Sequence, residues 1–354
     1  MRRTKRRITD CACPLCSIVT RQPQFRIMYM GNAPFPAREA TCEEPMLTYL
    51  HGLYNSHSFG HVVRDNFQAI FWSLMNLGLQ SEPFNLLVLE RYKKATTVPR
   101  VVKKYASWIS NSVDTWENQL ALCDKDLIVF RRLVSGFGGM IDKRPPGGCY
   151  PTNFLLQREV AYQKSNLTLL PVRRLPRIRV LFGDKSHTDS RRITNIMELL
   201  PILRARFTGA DFSIKMLANM SERAQLRELR KTSVFVSPVG SSSFRLIYLP
   251  TGAHVILVGA PEFDQQGNKL MPAFSEVSDC WQHLRHLTFS SYRVTQANES
   301  ITRFERIMHG WQPETPDLIE KFRLWDSDTV LNPYKLEGLI SKAIDQITLL
   351  REAQ

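Results

Sequence analysis

Apolar residues along this 354-residue chain fall into two patterns, short unbroken runs and helical stripes. In the second half the two alternate. RIRVLFG (177–183), DFSIKML (211–217), SVFVS (233–237) and AHVILVG (253–259) are β-branched and apolar runs of strand length. SRRITNIMELLPILRARF (190–207) sets Ile193, Ile196, Leu199, Leu200 and Leu203 on one helical stripe. SERAQLRELRK (221–231) reads as a short helix capped by Ser221, and SSSFRLIYL (241–249) as the start of another. Strands apolar on both faces and interleaved with helices predict a parallel sheet covered on both sides.

The first half repeats the theme. RIMYM (26–30), MLTYL (46–50), NLLVLE (85–90) and LIVF (127–130) are strand-like. FGHVVRDNFQAIFWSLMNLGL (59–79) predicts an amphipathic helix through Val63, Phe67, Ile70, Phe71, Leu74 and Leu77. Further helices are expected over 100–113, 153–167 and 332–350, with a Pro- and Gly-rich loop over 142–153. The expected fold class is α/β and GT-B-like: two Rossmann-like domains facing a cleft, with a C-terminal closing helix. The expected divisions are an arm over 1–20, an N-terminal Rossmann-like domain over 21–170, a C-terminal Rossmann-like domain over 171–330 and the helix over 331–354. In open α/β sheets, ligands sit beyond the carboxyl ends of the strands.

Composition narrows this little. A 43% hydrophobic and 23% charged chain is not disordered. No apolar run approaches the ~18–20 residues needed to span a bilayer. Forty-seven basic against 33 acidic residues leave +14, which calls for an anionic partner. Five of those basic residues sit in MRRTKRR at the start, which reads as a flexible arm rather than a clear secretory signal. Of seven cysteines, only Cys13 and Cys16 form a CxxC, and no second pair follows at zinc spacing, so free or partly paired thiols are expected. Asn166, Asn219 and Asn298 open sequons that act as glycan acceptors only in a secretory lumen.

Three constellations carry candidate chemistry. In His57-Ser-Phe-Gly-His61-Val-Val-Arg-Asp65, a helix starting near Gly60 puts His61 and Asp65 four apart on one face. Such a pair can supply a general base for a hydroxyl proton. The same residues also suit a helix-start histidine bonded to backbone, with Asp65 paired to Arg64, and His57, His61 and Asp65 share the spacing of metal ligands. Lys185, Arg191, Arg192 and Asn195 lie in a strand-to-helix turn, where free N–H groups and guanidinium groups suit a pyrophosphate or form a solvated basic helix start. Ser237-Pro-Val-Gly240-Ser241-Ser242-Ser243-Phe-Arg245 is again strand, tight turn, helix, and its small residues allow close approach of a phosphate or ribose. Neither GxGxxG nor GxxxxGK[ST] occurs.

In order and spacing, these segments resemble glycosyltransferase family 61 over roughly residues 55–305. SFGHVVRDNFQAIFWSL is similar to the family's GH-x-x-x-D helix, and VLFGDKSHTDSRRITNIMELL resembles its strand, Arg-rich turn and helix, with Lys185 where an arginine is usual. VFVSPVGSSSFRLIYLPTGAHVILVG is similar to its G-P-H-G-A-G-L-T-N segment, with Val239 for the histidine, Ser241-Ser242 for A-G and Phe244-Arg245 for T-N. The resemblance implies an inverting transferase that takes a nucleotide-sugar donor, expected to be UDP-linked, and a glycan or glycoprotein acceptor, with no metal or other cofactor and no nucleic acid. It implies Asp65 as base or partner of the base, with His61 as the alternative. Lys185, Arg191, Arg192, Asn195, Gly240, Ser241, Ser242, Ser243 and Arg245 are its implied donor residues. A relative that keeps the sheet and has lost the chemistry, and a basic nucleic-acid-binding protein, stay open as alternatives. Location follows the sequons: Golgi or ER lumen behind an anchor outside this chain, otherwise cytoplasm.

Overall fold

A computed structural model describes residues 42–54, 56–90, 97–121, 128–137, 151–185, 191–259, 284–292, 300–301 and 328–353. The expected arm, the CxxC, the strand over 26–30, most of the 142–153 loop and Asn298 lie outside the described residues. The described residues fall into two compact units, one ending with the helix that reaches Lys164 and the other beginning at Ser165. Each is mixed α/β and built on its own parallel sheet.

In the first unit, β1 (Cys42–Leu53), β2 (Phe84–Glu90), β3 (Ser112–Thr115) and β4 (Ile128–Phe137) run parallel in the order β3-β2-β1-β4. The expected helix over 59–79 is α1, made of an α-helical turn Phe59–His61, a π-helical stretch Val62–Phe67 and an α-helix Gln68–Asn76. Its stripe Val62, Val63, Phe67, Ile70, Phe71 and Leu74 is buried. Leu77, expected on that stripe, lies past the last helical turn and is 57% exposed. The chain turns there through Gly78 at φ 69°, the left-handed geometry that ends many helices.

The helix expected over 100–113 stops early. It is α2 (Arg100–Ala106), and Ser112–Thr115 instead extends the sheet as β3. Pairing with β2 decides this: the Asn111 N–H donates to Phe84 O, and the ladder runs from Asn85↔Ser112 to Val88↔Thr115. A tertiary ladder outweighs local helical preference there. Next comes α3 (Trp116–Ala121), which the pattern does not show, and α4 (Pro151–Lys164), which starts on its proline and turns out through Asn166 at φ 51°.

In the second unit, β5 (Ile178–Gly183), β6 (Ala210–Lys215), β7 (Val234–Pro238), β8 (His254–Val258) and β9 (Thr288–Tyr292) form a parallel sheet in the order β6-β5-β7-β8-β9. Between strands lie α5 (Ile196–Arg206), α6 (Glu222–Leu229) and a 3₁₀ segment Ser241–Tyr248. Ser221 caps α6 as expected, its hydroxyl accepting from Ala224 N–H. Residues 191–195, expected as the first turn of a helix, are irregular, with Arg191 at φ 60° and Ile193 bridged to Thr329. A short antiparallel pair, β10 (Ser300–Ile301) and β11 (Asp328–Thr329), precedes α7 (Pro333–Glu352). Leu336, Ile340, Ala343 and Ile347 of α7 are buried, and the helix packs against β7, β8 and β9.

Both sheets start from an interior strand. After β1 the chain adds β2 and β3 on one side and β4 on the other; after β5 it adds β6 on one side and β7 to β9 on the other. Where the winding reverses, the loops leave the carboxyl ends of neighbouring strands in opposite directions and open a crevice. Among the described residues there are two such points, β1/β4 and β5/β7.

Candidate functional site

His61 and Asp65 stand at the first of these points, on the helix that follows β1. His61 Nδ1 donates to Asp65 Oδ2 at 2.5 Å. The Asp65 side chain is 3% exposed, the His61 side chain 43%. Arg64 Nε is 3.9 Å from the other Asp65 oxygen, so the close partner of Asp65 is His61. With Nδ1 carrying the proton toward the carboxylate, Nε2 is the basic nitrogen of His61 and Asp65 holds the ring's orientation. His57 lies in the turn before α1 and is exposed. Among the described residues, no three His, Cys, Asp or Glu side chains gather as a metal site.

The π-helical stretch under this pair is pinned by Asn66, which sequence reasoning missed. Its Oδ1 accepts from Tyr54 N–H at 2.9 Å, and its Nδ2 donates to Tyr54 O at 2.8 Å and to His61 O at 3.0 Å. One side chain thus ties the chain leaving β1 to the backbone that carries His61. Widened turns of this kind recur at functional sites. His51 of β1 completes the support, its Nε2 donating to Asn66 Oδ1 at 3.2 Å. Burial drives the His51 pKa from 6.5 down to about 4, so the ring is neutral, with Nδ1 buried and unbonded. Beside it, Tyr49 packs at 5.9 Å between ring centroids, and burial pushes its phenol up to about 12. That ring occupies the space above Gly136 of β4, where a β-carbon would stand 2.1 Å from the phenol oxygen. A polar residue inside the apolar β1 run was the available signal for His51; nothing local marks Asn66.

At the second point the structure joins two constellations that are fifty residues apart in sequence. The Arg191 guanidinium lies flat on Gly240: a β-carbon there would meet Nη1 at 3.0 Å and Cζ at 3.1 Å. Gly240 has φ 125° and ψ −159°, a conformation open only to glycine. Both the torsion and the overlying arginine therefore require a glycine. Arg192 is fixed through its backbone, its N–H donating to Asp328 Oδ1 at 2.8 Å and its carbonyl accepting from Thr329 N–H at 2.7 Å. Its Nε is buried without a hydrogen-bond partner among the described residues. Lys185 follows β5 with its N–H bonded to Asp184 Oδ1.

The remaining candidates divide. Ser241 and Ser242 are half-buried at the start of the 3₁₀ segment, where N–H groups are not yet used by the helix. Ser243 is buried and spends its hydroxyl on Gly240 O at 2.7 Å. Arg245 is 3% exposed, with Nε donating to Gln225 Oε1 at 3.2 Å. Asn195 has both ends of its amide engaged by Leu331, donating to its carbonyl at 2.8 Å and accepting from its N–H at 2.9 Å. Asp328, the acceptor that seats Arg192, has no sequence signal, because it lies 136 residues from its partner.

A family model described as Glycosyltransferase 61 matches residues 59–256, which run from the start of α1 into β8 and include the His61–Asp65 pair, Arg191 and Gly240. No curated protein matches the chain.

Proposed function

The chain belongs to glycosyltransferase family 61, and from that premise we propose an inverting transferase that moves a sugar from a UDP-linked donor to a hydroxyl of a glycan or glycoprotein. Its architecture is GT-B-like, with a Rossmann-like domain built on each parallel sheet. The observation that supports this most is Arg191 seated on Gly240 at the β5/β7 reversal. A guanidinium, glycine backbone and the start of a 3₁₀ segment converge where an open parallel sheet binds ligand, and together they suit a diphosphate.

In this reading the donor diphosphate lies against Arg191, Arg192, Lys185, Gly240, Ser241 and Ser242. Asn195, Ser243 and Arg245 hold that surface in shape from behind. His61 Nε2 takes the proton from the acceptor hydroxyl as the oxygen attacks the anomeric carbon. Asp65, bonded to Nδ1, stabilises the imidazolium that results. The bond to the diphosphate breaks, and the cationic side chains and N–H groups take up the charge of the departing UDP.

Calorimetric titration of the purified protein with UDP- and GDP-sugars, with and without EDTA, tests it. A UDP-sugar should bind in either condition, and Arg191→Ala or Arg192→Ala should raise Kd about 10- to 100-fold, the worth of one hydrogen bond to a charged group. Absence of nucleotide-sugar binding, or binding indifferent to both arginines, overturns the proposal.

A further inference from the structure

Because every strand of the second sheet runs the same way, their amino ends share one pole, opposite the carboxyl ends that carry Arg191 and Gly240. That pole is basic and partly apolar. Arg173 and Arg174 occupy the 3₁₀ turn before β5, and Arg230 and Lys231 begin the loop from α6 into β7. Hydrogen bonds place these segments side by side. Arg230 Nη1 donates to Thr168 O at 3.3 Å, Val172 N–H to Thr251 O at 2.9 Å, and Arg351 Nη2 to Leu175 O at 2.9 Å. The end of α7 closes the ring, since a β-carbon on Gly252 would lie 3.6 Å from Leu350 Cδ1 and 3.7 Å from Val172 Cβ.

Arg173, Arg174 and Lys231 are exposed, and none of them forms an ion pair among the described residues. The carboxylates nearby are Asp211, 3.7 Å from Arg177, Glu228, bound to Arg179, and Glu352, exposed at the end of α7 beside Arg351. Among the cations Leu349 is 64% exposed, Leu350 44% and Leu170 39%. Water-facing leucines rimmed by unpaired arginines are unfavourable for a surface with only water to meet. We propose that this pole docks on an anionic phospholipid surface, with the leucines entering the headgroup region and the arginines against phosphates. Both components of the patch match that occupant: anionic lipid attracts each cation, and the interface takes up the apolar side chains. A polyanion such as RNA would use the charge and leave the leucines idle. Docked this way, the carboxyl-end pole of the same unit faces away from the lipid. The proposal is independent of the glycosyltransferase reading.

Sedimentation of the full chain with vesicles of phosphatidylcholine alone, or with 30% phosphatidylserine (about a physiological anionic fraction), tests it at low and physiological salt. Expected is binding to the serine-containing vesicles only. Arg173→Gln/Arg174→Gln should weaken it about 30-fold, at about 5-fold per charge near the surface. Leu349→Gln, on a side chain that packs little, should weaken it several-fold with an unchanged melting temperature. Lack of binding to anionic vesicles overturns the proposal. So does binding that none of the variants changes, which would assign the effect to the basic residues at 1–7. If heparin competes fully and Leu349→Gln is without effect, the pole is a polyanion site and the lipid assignment fails.

Discussion

Acidification should undermine the support beneath the His61–Asp65 pair through one buried histidine. His51 is fully enclosed, donates from Nε2 to Asn66 and has no acceptor for a second proton on Nδ1. Its pKa falls from 6.5 in the unfolded chain to about 4 in the fold. Between those values the unfolded state binds the extra proton and the folded state does not. The stability is therefore complete above pH 6.5 and is lost as the pH falls toward 4. A shift of about 2.5 units corresponds to about 3 kcal/mol in full, of which about 2 kcal/mol is gone by pH 5, before most carboxylates titrate. The perturbation that isolates this is His51→Gln, whose amide N–H can keep the donation to Asn66 and which carries no titrating group. Urea unfolding of the wild type and the variant at steps from pH 7.5 to 4.5 reads the effect. Wild-type stability should drop about 2 kcal/mol more than that of the variant between pH 7 and 5, whatever the offset between them at pH 7. Parallel profiles would refute the reasoning, for they would mean that His51 accepts its proton equally well in both states.

Several other outcomes follow from the geometry. Gly240→Ala forces a side chain into a glycine-only torsion and against Arg191, so it should cost more than 1 kcal/mol in thermal unfolding and abolish UDP-sugar binding in calorimetry. Asp65→Asn should leave donor affinity near the wild-type value while cutting the rate of UDP release from a bound UDP-sugar by about 10²- to 10⁴-fold; an equal loss of affinity would contradict the assignment. Asn195→Ala removes two bonds to the Leu331 backbone and should lower stability by about 2 kcal/mol in urea titration. Gly136→Ala places a β-carbon on the buried Tyr49 phenol, and a cost of about 1–3 kcal/mol or more should appear in the same assay.

Local pattern was enough to find most strands. The runs at 46–50, 85–90, 177–183, 233–237 and 253–259 all became parallel strands, because strands buried on both faces need apolar residues at every position. Ser221 as a cap and the stripe of the terminal helix were legible for the same reason: each depends on residues within a turn or two of one another. The pairing of His61 with Asp65 was also readable, since a helical turn of either kind brings residues four apart together.

What escaped the sequence depends on partners far along the chain. Ser112–Thr115 is polar enough to read as a helix end and becomes a strand only because the edge of β2 is there to pair with it. Thr288–Tyr292 has little apolar character of its own and is held as an edge strand by β8. Residues 191–195 would continue a helix if local preference decided; instead Asp328, Thr329 and Leu331 draw their backbone and Asn195 into a different geometry. The same holds for the candidate site. Composition offered Arg191 and Gly240 as separate signals, each as compatible with an ordinary surface turn as with a ligand. The strand order sets the loops after β5 and β7 next to each other, and so brings a guanidinium against a glycine. Sequence determined which residues could carry the chemistry, through short-range spacing; tertiary structure decided which of them meet, because that contact is made by the sheet and not by the chain.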